Sequence, residues 1–205
     1  MRRKGIILAG GKGSRLAPLT TSISKQLLPV YDKPLIYYPL STLMLAEIKE
    51  ILVITTQSDK KLIQNLLGDG SNFGLKIEYA VQYSPDGIAQ GLIIAEEFLA
   101  GSNSVIILGD NLFYGNDLKN KLLSACKREK GATIFGYRVN DPQRYGIVKF
   151  NAEGKVVDLV EKPKVKISDY AITGIYFYDN RASKFARKLT PSSRGELEIT
   201  ELNKL

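Results

Sequence analysis

The chain contains no histidine at all. That excludes Ser-His-Asp and Cys-His nucleophilic catalysis and histidine-held metals. Its chemistry must therefore run on carboxylates, lysines, arginines and backbone amides, with or without a hard metal ion. Three short stretches concentrate such groups. The first is Leu8-Ala9-Gly10-Gly11-Lys12-Gly13-Ser14-Arg15-Leu16. It is not GxxxxGK[ST], because Ser14-Arg15 follow Gly13, and it is not GxGxxG, because Leu16 stands at the third glycine position. Glycines still allow backbone amides to approach a phosphate, and Arg15 adds a planar, permanently charged fork. A plain glycine turn with a solvated arginine would use the same residues.

The second stretch, Ile106-Ile107-Leu108-Gly109-Asp110-Asn111, ends an apolar run in a carboxylate. An Asp there suits Mg²⁺ held beside substrate phosphates, or a simple turn cap. The third, Val160-Glu161-Lys162-Pro163, offers a lysine point charge for phosphate and a glutamate acceptor for hydroxyls, or a solvated strand edge. Ser24-Lys25-Gln26 adds a cation and an amide just after the glycine loop. Gln82 precedes the turn Ser84-Pro85-Asp86-Gly87. Its amide can pair with O4 and N3–H of thymine or uracil, although a strand-end glutamine in a turn is the plainer use of it.

The elements that must position these groups alternate along the chain. Gly5 to Leu8, Ile51 to Thr55, Ile77 to Val81 and Val105 to Leu108 read as strands buried on both faces. Pro34 to Ala46, Asp59 to Leu67, Gln90 to Leu99 and Asp117 to Lys127 carry helical periods. Asp32-Lys33 before Pro34 is a reasonable helix start, and Pro39 is expected to kink that helix. The alternation predicts a doubly wound α/β sheet, whose ligands bind at the carboxyl ends of the strands. After Gly131 the strands Thr133 to Val139, Tyr145 to Phe150, Val156 to Val160 and Ile172 to Tyr178 follow closely, with Asn151-Ala152-Glu153-Gly154 as a hairpin turn. They predict an antiparallel addition to the same sheet. No linker separates the halves, so residues 1–205 read as one domain.

Composition narrows the partners. The net charge of +8 is compatible with nucleic acid, a membrane surface or a small polyanion. The one dense basic run, Lys127-Arg128-Glu129-Lys130, is interrupted by an acid and reads as a solvated helix end. No nucleic-acid motif is visible. No apolar run is long enough for a membrane span, and Met1-Arg2-Arg3-Lys4 leads into a strand rather than a signal core. A single cysteine, Cys126, cannot form an internal disulfide, which fits a reducing, cytoplasmic setting.

The assembled segments resemble the glucose-1-phosphate thymidylyltransferases, within the sugar-phosphate nucleotidylyltransferases. They are GIILAGGKGSRL, ISKQLLPVYDKPLIYYPLSTLMLA, LLGDGSNFGL, SPDGIAQ, LGDNLFYG, DPQRYGIVKF, EKP, YAITGIYFYD and RGELEIT, in order over almost the whole chain. The glycine-rich opening and EKP are shared broadly, whereas the long KQLLPVYDK segment and RGELEIT are narrower.

The resemblance implies a three-layer Rossmann-like α/β fold, with a mixed, mostly parallel sheet and helices on both faces. It implies a nucleotide site at Leu8, Gly10, Gly11, Gly13, Ser14, Arg15, Gln26, Gln82, Gly87 and Asp110, with Gln82 and Gly87 at the pyrimidine and Asp110 on Mg²⁺. Asn111, Tyr145, Gly146, Glu161, Lys162, Thr173, Gly174 and Arg194 match the sugar-phosphate site. Arg15, Lys25, Lys162 and Arg194 match the catalytic cations. Residues 1–130 would then be mainly the nucleotide half, and 131–205 mainly the sugar-phosphate half.

The substrates implied are dTTP and glucose 1-phosphate, with neither nucleic acid nor membrane as partner. Lys12 and Ala17 depart from the usual family residues. Family members continue beyond the position of Leu205 with a segment that supplies a second Mg²⁺ carboxylate in a Trp-x-Asp-Thr-Gly setting, subunit contacts of the homo-oligomer and a regulatory nucleotide site. The present sequence has no tryptophan. The resemblance therefore leaves two-ligand metal binding, assembly and feedback control open for these 205 residues. The alternatives are a transferase using UTP or another triphosphate, and a nucleotide-binding module without turnover. General nucleic-acid binding, motivated only by net charge, comes third and would fall steeply with salt.

Overall fold

A computed structural model describes residues 3–11 and 13–205. Met1 and Arg2, at the start of the run expected to lead into a strand, and Lys12, a departure from the usual family residues, lie outside the described residues. The chain enters the core at once through β1 (Lys4–Ala9), then makes a small hairpin of β2 (Pro29–Val30) and β3 (Lys33–Pro34) before α1 (Tyr37–Leu45). Three parallel neighbours follow: β4 (Glu50–Thr55), β5 (Lys76–Val81) after α2 (Lys60–Leu67), and β6 (Ser104–Leu108) after α3 (Gln90–Ile94) and α4 (Glu96–Leu99). After α5 (Leu118–Lys127) come β7 (Ala132–Arg138), β8 (Gly146–Phe150), β9 (Val156–Glu161) and β10 (Tyr170–Tyr178). Two short helices, α6 (Ala182–Ala186) and α7 (Ile199–Leu202), close the chain.

These strands build one eight-stranded sheet in the order β5-β4-β1-β6-β10-β8-β9, with β7 paired to β10. The first four are parallel, and β1 has β4 on one side and β6 on the other. The chain therefore reverses its direction of winding beside β1, which opens a crevice between the ends of β1 and β6. The later strands are antiparallel, and β10 zips onto β6 through Ile175–Ile107 and Phe177–Val105. The expected antiparallel addition to a doubly wound sheet is what the pairings describe. Between Ile172 and Tyr176, β10 advances four residues while β7 advances two, from Gly136 to Ile134. That bulge contains Thr173 and Gly174.

Alternation along the buried strands fills both faces. Ile7, Ile51, Val53, Val105, Ile107, Ile175 and Phe177 pack under α1, α2 and α5 with Leu40, Leu43, Ile63 and Leu122. Ile6, Leu52, Ile54, Ile106, Tyr176 and Tyr178 meet Leu92, Leu99, Ala182 and Leu202 on the opposite side. The result is a three-layer α/β sandwich. Full burial of each such side chain contributes about 1.5–3 kcal/mol. No described helix is long and apolar enough to cross a membrane.

Several boundaries differ from expectation. Pro34 pairs with Pro29 across the β2–β3 hairpin, and Tyr31 turns that hairpin at φ 60°, so Asp32-Lys33 do not start a helix. The helix begins at Tyr37, which puts Pro39 in its first turn, where no intrahelical acceptor awaits its amide and no kink arises. The Gln90 to Leu99 helix is interrupted at Ala95, although Ala95 N–H still donates to Gly91 O and Leu99 N–H to Ala95 O. The basic run does end α5, and there Arg3 caps it. This guanidinium, 5% exposed, donates to Cys126 O (3.0 Å) and Arg128 O at the helix end, and to Ser104 O (3.2 Å) and Tyr178 O (2.6 Å).

Candidate active site

The crevice between β1 and β6 is narrow because glycines line it. Gly109 N–H donates to Leu8 O at 2.8 Å, and a Cβ on Gly109 would stand 2.8 Å from that same oxygen. The chain can thus turn out of β6 only as glycine, delivering Asp110 to the mouth. Leu8 itself packs inward against Gly91, where an added Cβ would stand 2.7 Å from Leu8 Cδ2. Gly10 lies on Gln82, with 2.9 Å between its would-be Cβ and Gln82 Oε1. Gly13 adopts φ 63° and opens the short 3₁₀ turn Ser14–Leu16. A side chain there would meet Thr20 Cγ2 at 2.9 Å and Lys25 Cβ at 3.0 Å, so Gly13 lets the loop fold over Lys25. Gly11 has open space around it, and Ser14 and Arg15 are exposed, with no hydrogen-bond partner for Arg15 among the described residues.

Lys25 crosses the crevice. Its Nζ donates to Asp110 Oδ2 at 2.7 Å, while Asp110 Oδ1 accepts from Asn111 Nδ2 at 2.9 Å. Gln26, only 2% exposed, accepts from Ser24 Oγ at 2.8 Å and anchors the chain beneath Lys25. Among the described residues no three His, Cys, Asp or Glu side chains converge on a metal position. A divalent ion at Asp110 would thus take one protein carboxylate and complete its shell from ligand and water oxygens, as Mg²⁺ beside phosphates does.

Beyond Asp110 the crevice widens into a cleft of about 760 Å³. Its walls carry Asp110, Asn111, Tyr145, Gly146, Glu161, Lys162, Thr173, Gly174 and Arg194. The β10 bulge sets two of these. Gly174 has no room for a side chain, since a Cβ would stand 2.5 Å from Asn111 Oδ1, and Thr173 Oγ1 is buried without a hydrogen-bond partner. A buried hydroxyl left unpaired costs about 1–3 kcal/mol, so a ligand hydroxyl at the cleft floor would satisfy it. Lys162 sits at φ 41°, a left-handed conformation costly for a side-chain-bearing residue. Its amide donates to Tyr145 O at 3.0 Å, which pins this turn at the end of β9. Backbone strain of this kind re-aims a side chain.

Charge in the cleft is balanced. Glu161 Oε1 lies 3.4 Å from Arg194 Nη2 and 3.7 Å from Lys162 Nζ, and Oε2 accepts from Thr200 Oγ1 at 2.5 Å. Arg194 also meets Glu196 (3.3 Å) and Glu198 (2.7 Å), and hydrogen bonding to Glu198 raises its pKa further. Burial, with Glu161 nearby, pushes the Tyr176 phenol upward, so it stays protonated as a donor.

Gln82 stands apart from this cleft, on the Gly10 side. Its Nε2 donates to Gln90 Oε1, and Gln90 donates on to Asp86 Oδ2 at 2.7 Å. Gly87, at φ 103°, lies flat on Leu197, whose amide donates to Asp86 O at 2.7 Å. The sequence-derived residues therefore fall into two adjoining groups. Gly10, Gly13, Lys25, Gln82 and Asp110 surround the crevice, the second group lines the cleft, and Asp110 belongs to both. Leu8 and Gln26 have packing roles here, and Arg15 reaches neither group's side chains. Ile88, Tyr176, Glu198 and Thr200 also line the cleft. The sequence reading passed over them, although Glu198 and Thr200 lie in the quoted run RGELEIT.

Residues 4–205 match the family model described as nucleotidyl transferase. The chain is 59% identical over 203 residues to the glucose-1-phosphate thymidylyltransferase of Xanthomonas campestris pv. campestris (strain B100), covering 99% of this chain and 69% of that one. The chain belongs to the nucleotidyl transferase family, among its glucose-1-phosphate thymidylyltransferases. The Neisseria gonorrhoeae glucose-1-phosphate thymidylyltransferase is 58% identical over 202 residues, with 98% and 70% covered. This thymidylyltransferase-family chain thus spans about 70% of the length of these relatives. A Bacillus anthracis crystal structure described as a glucose-1-phosphate thymidylyltransferase, in complex with sucrose, superposes with a TM-score of 0.90 at 40% identity, covering 98% of this chain and 81% of that one. A UDP-glucose pyrophosphorylase with UDP-glucose, at 24% identity and a TM-score of 0.83, shares the fold.

Proposed function

We propose that this chain transfers the deoxythymidylyl group of dTTP to glucose 1-phosphate, giving dTDP-glucose and pyrophosphate, the entry to dTDP-sugars such as dTDP-rhamnose. It would do so in the cytoplasm, with Mg²⁺ as cofactor. The observation that carries this is the position of Asp110. It is ion-paired to Lys25 under the glycine loop and is also part of the wall of the cleft that holds Glu161, Lys162, Thr173 and Arg194. A triphosphate on the loop and a sugar phosphate in the cleft would meet beside it.

The nucleophile needs no activation. A phosphate monoester has a second pKa of about 6, so its oxygen is anionic at neutral pH, and a chain without histidine lacks nothing. The obstacle is bringing two polyanions together, so the protein's task is positioning and neutralisation. The backbone amides of Gly10, Gly11 and Gly13, with Ser14, cradle the triphosphate, and Arg15 and Lys25 offset its charge. Gln82 pairs with the base edge, beside Gly87. Lys162 and Arg194 hold the sugar phosphate for in-line attack on the α-phosphorus. Glu161 and the unpaired Thr173 hydroxyl take sugar hydroxyls, with Asn111, Tyr145, Gly146 and Gly174 shaping the pocket. Asp110 holds Mg²⁺, which when bound neutralises phosphate charge. Each cation is expected to contribute about 2–4 kcal/mol to lowering the barrier, by analogy with an oxyanion donor. Residues 1–130 supply most of the nucleotide side and 131–205 most of the sugar side.

The amide of Gln82 would pair with uracil as with thymine, which keeps UTP as the second reading. Both are tested by pyrophosphate release with glucose 1-phosphate, Mg²⁺ and dTTP, UTP, CTP or ATP in turn. Release led by dTTP supports the assignment, and release led by UTP replaces it. Base-selective binding with no release in any tube would mark a binding module.

A further inference from the structure

Arg194 is gripped along one edge only. Nε donates to Glu198 Oε1 at 3.1 Å, and Nη2 donates to Oε1 at 2.8 Å and Oε2 at 2.7 Å. Nη2 also lies within ion-pair range of Glu161 and Glu196. Nη1 makes no hydrogen bond among the described residues, on a side chain that lines the cleft. The partner is unusual in its own right. Glu198 is a carboxylate only 8% exposed, at the position before α7 where a side chain ordinarily caps the helix, yet it makes no capping bond. Its Oε1 accepts instead from Ser192 Oγ at 2.6 Å, and the same hydroxyl accepts from the Arg194 amide at 3.2 Å. Ser192 N–H donates to Glu196 O at 2.9 Å, closing the loop. Loop, carboxylate and guanidinium are thus one cross-braced unit.

We propose that Glu198 is the positioning residue for Arg194, holding the Nε–Nη2 edge so that Nη1 is presented to the phosphate of the sugar substrate. The inference rests on the sugar-phosphate role proposed for Arg194 and adds the group that enforces it. A guanidinium loses much of its bidentate precision when its plane is free to rotate. Glu198 supplies the fork that fixes that plane. Glu198→Gln retains the shape but removes the charge and sets an NH₂ group against the Nη2 donor in place of Oε2, so the two-oxygen fork is lost while packing survives.

The test measures glucose 1-phosphate and dTTP affinity separately by calorimetry, with thermal unfolding as the control for folding. Glu198→Gln should weaken glucose 1-phosphate binding about tenfold or more, the cost of losing a charged hydrogen bond, and leave dTTP affinity unchanged. Glu198→Asp should fall between the two. In an Arg194→Ala background, Glu198→Gln should change sugar-phosphate affinity no further, because a group acting only through its partner is silent once the partner is gone. Equal weakening of both ligands, or losses that add across the double variant, would overturn the positioning role. Wild-type protein that binds dTTP but not glucose 1-phosphate would overturn the reading beneath it, and this inference with it.

Discussion

Lys25 Nζ stands 2.7 Å from Asp110 Oδ2, joining the segment after the glycine loop to the end of β6 across the switch point of the sheet. Two oppositely charged groups implied in one reaction thus already neutralise each other where the substrates would meet. Lys25→Ala is expected to lower turnover about a hundredfold, within the range for one lost transition-state donor. Asp110→Asn should raise the Mg²⁺ concentration needed for half-maximal rate about tenfold or more, because the carboxylate proposed to hold the ion is lost. Steady-state rates across a Mg²⁺ titration check both.

Lys162 separates strain from chemistry. Its φ of 41° costs a side-chain-bearing residue about 1–2 kcal/mol and costs glycine almost nothing. Lys162→Ala and Lys162→Gly should both lower turnover about a hundredfold. Only the glycine variant should also be more stable than wild type, by about 1 kcal/mol in urea unfolding. Two variants of equal stability would refute the strain argument, and a normal rate in either would remove Lys162 from the machinery.

The glycines around the site are not equivalent. A Cβ at Gly87 would stand 2.5 Å from Leu197 O, at φ 103°, whereas Gly11 has nothing within 4 Å. Gly87→Ala should force the 84–90 loop off the segment carrying Arg194 and Glu198, weakening both substrates and lowering stability by about 2 kcal/mol. Gly11→Ala should leave stability within about 0.5 kcal/mol of wild type, as a change without a clash does. Binding and unfolding measured on both variants distinguish them.

Arg3 is structural. It donates to four carbonyls from α5, β6, β10 and the turn after α5, while almost wholly buried. Arg3→Met leaves those acceptors without their donor and should cost about 3 kcal/mol or more. The expected outcome is a lowered melting temperature with unchanged Michaelis constants in the folded fraction.

The parallel half of the fold was legible because its strands are short apolar runs ending in loops of conspicuous chemistry: Gly10 to Arg15, Gln82 to Gly87, and Asp110. The helices of four and five residues at Ile199–Leu202 and Ala182–Ala186 were not, since they are too short to show a period. Nor could the bulge at Thr173–Gly174 be read, because register depends on which strand pairs with which. Pro39 misled for a related reason: a proline breaks a helix or begins it, and the β2–β3 hairpin upstream decides which. The site residues came from motif and resemblance. The bracing of Arg194 by Glu198 depends on side-chain geometry, which no spacing discloses.

The proposed reaction joins a deoxythymidylyl group to a sugar phosphate beside Asp110. The most direct measurement is pyrophosphate release with dTTP, glucose 1-phosphate and Mg²⁺, run on wild type and on Arg194→Ala. Release that requires both substrates, is fastest with dTTP and falls about a hundredfold in the variant is the expected result. Base-selective dTTP binding with no release, or release indifferent to Arg194, would contradict it.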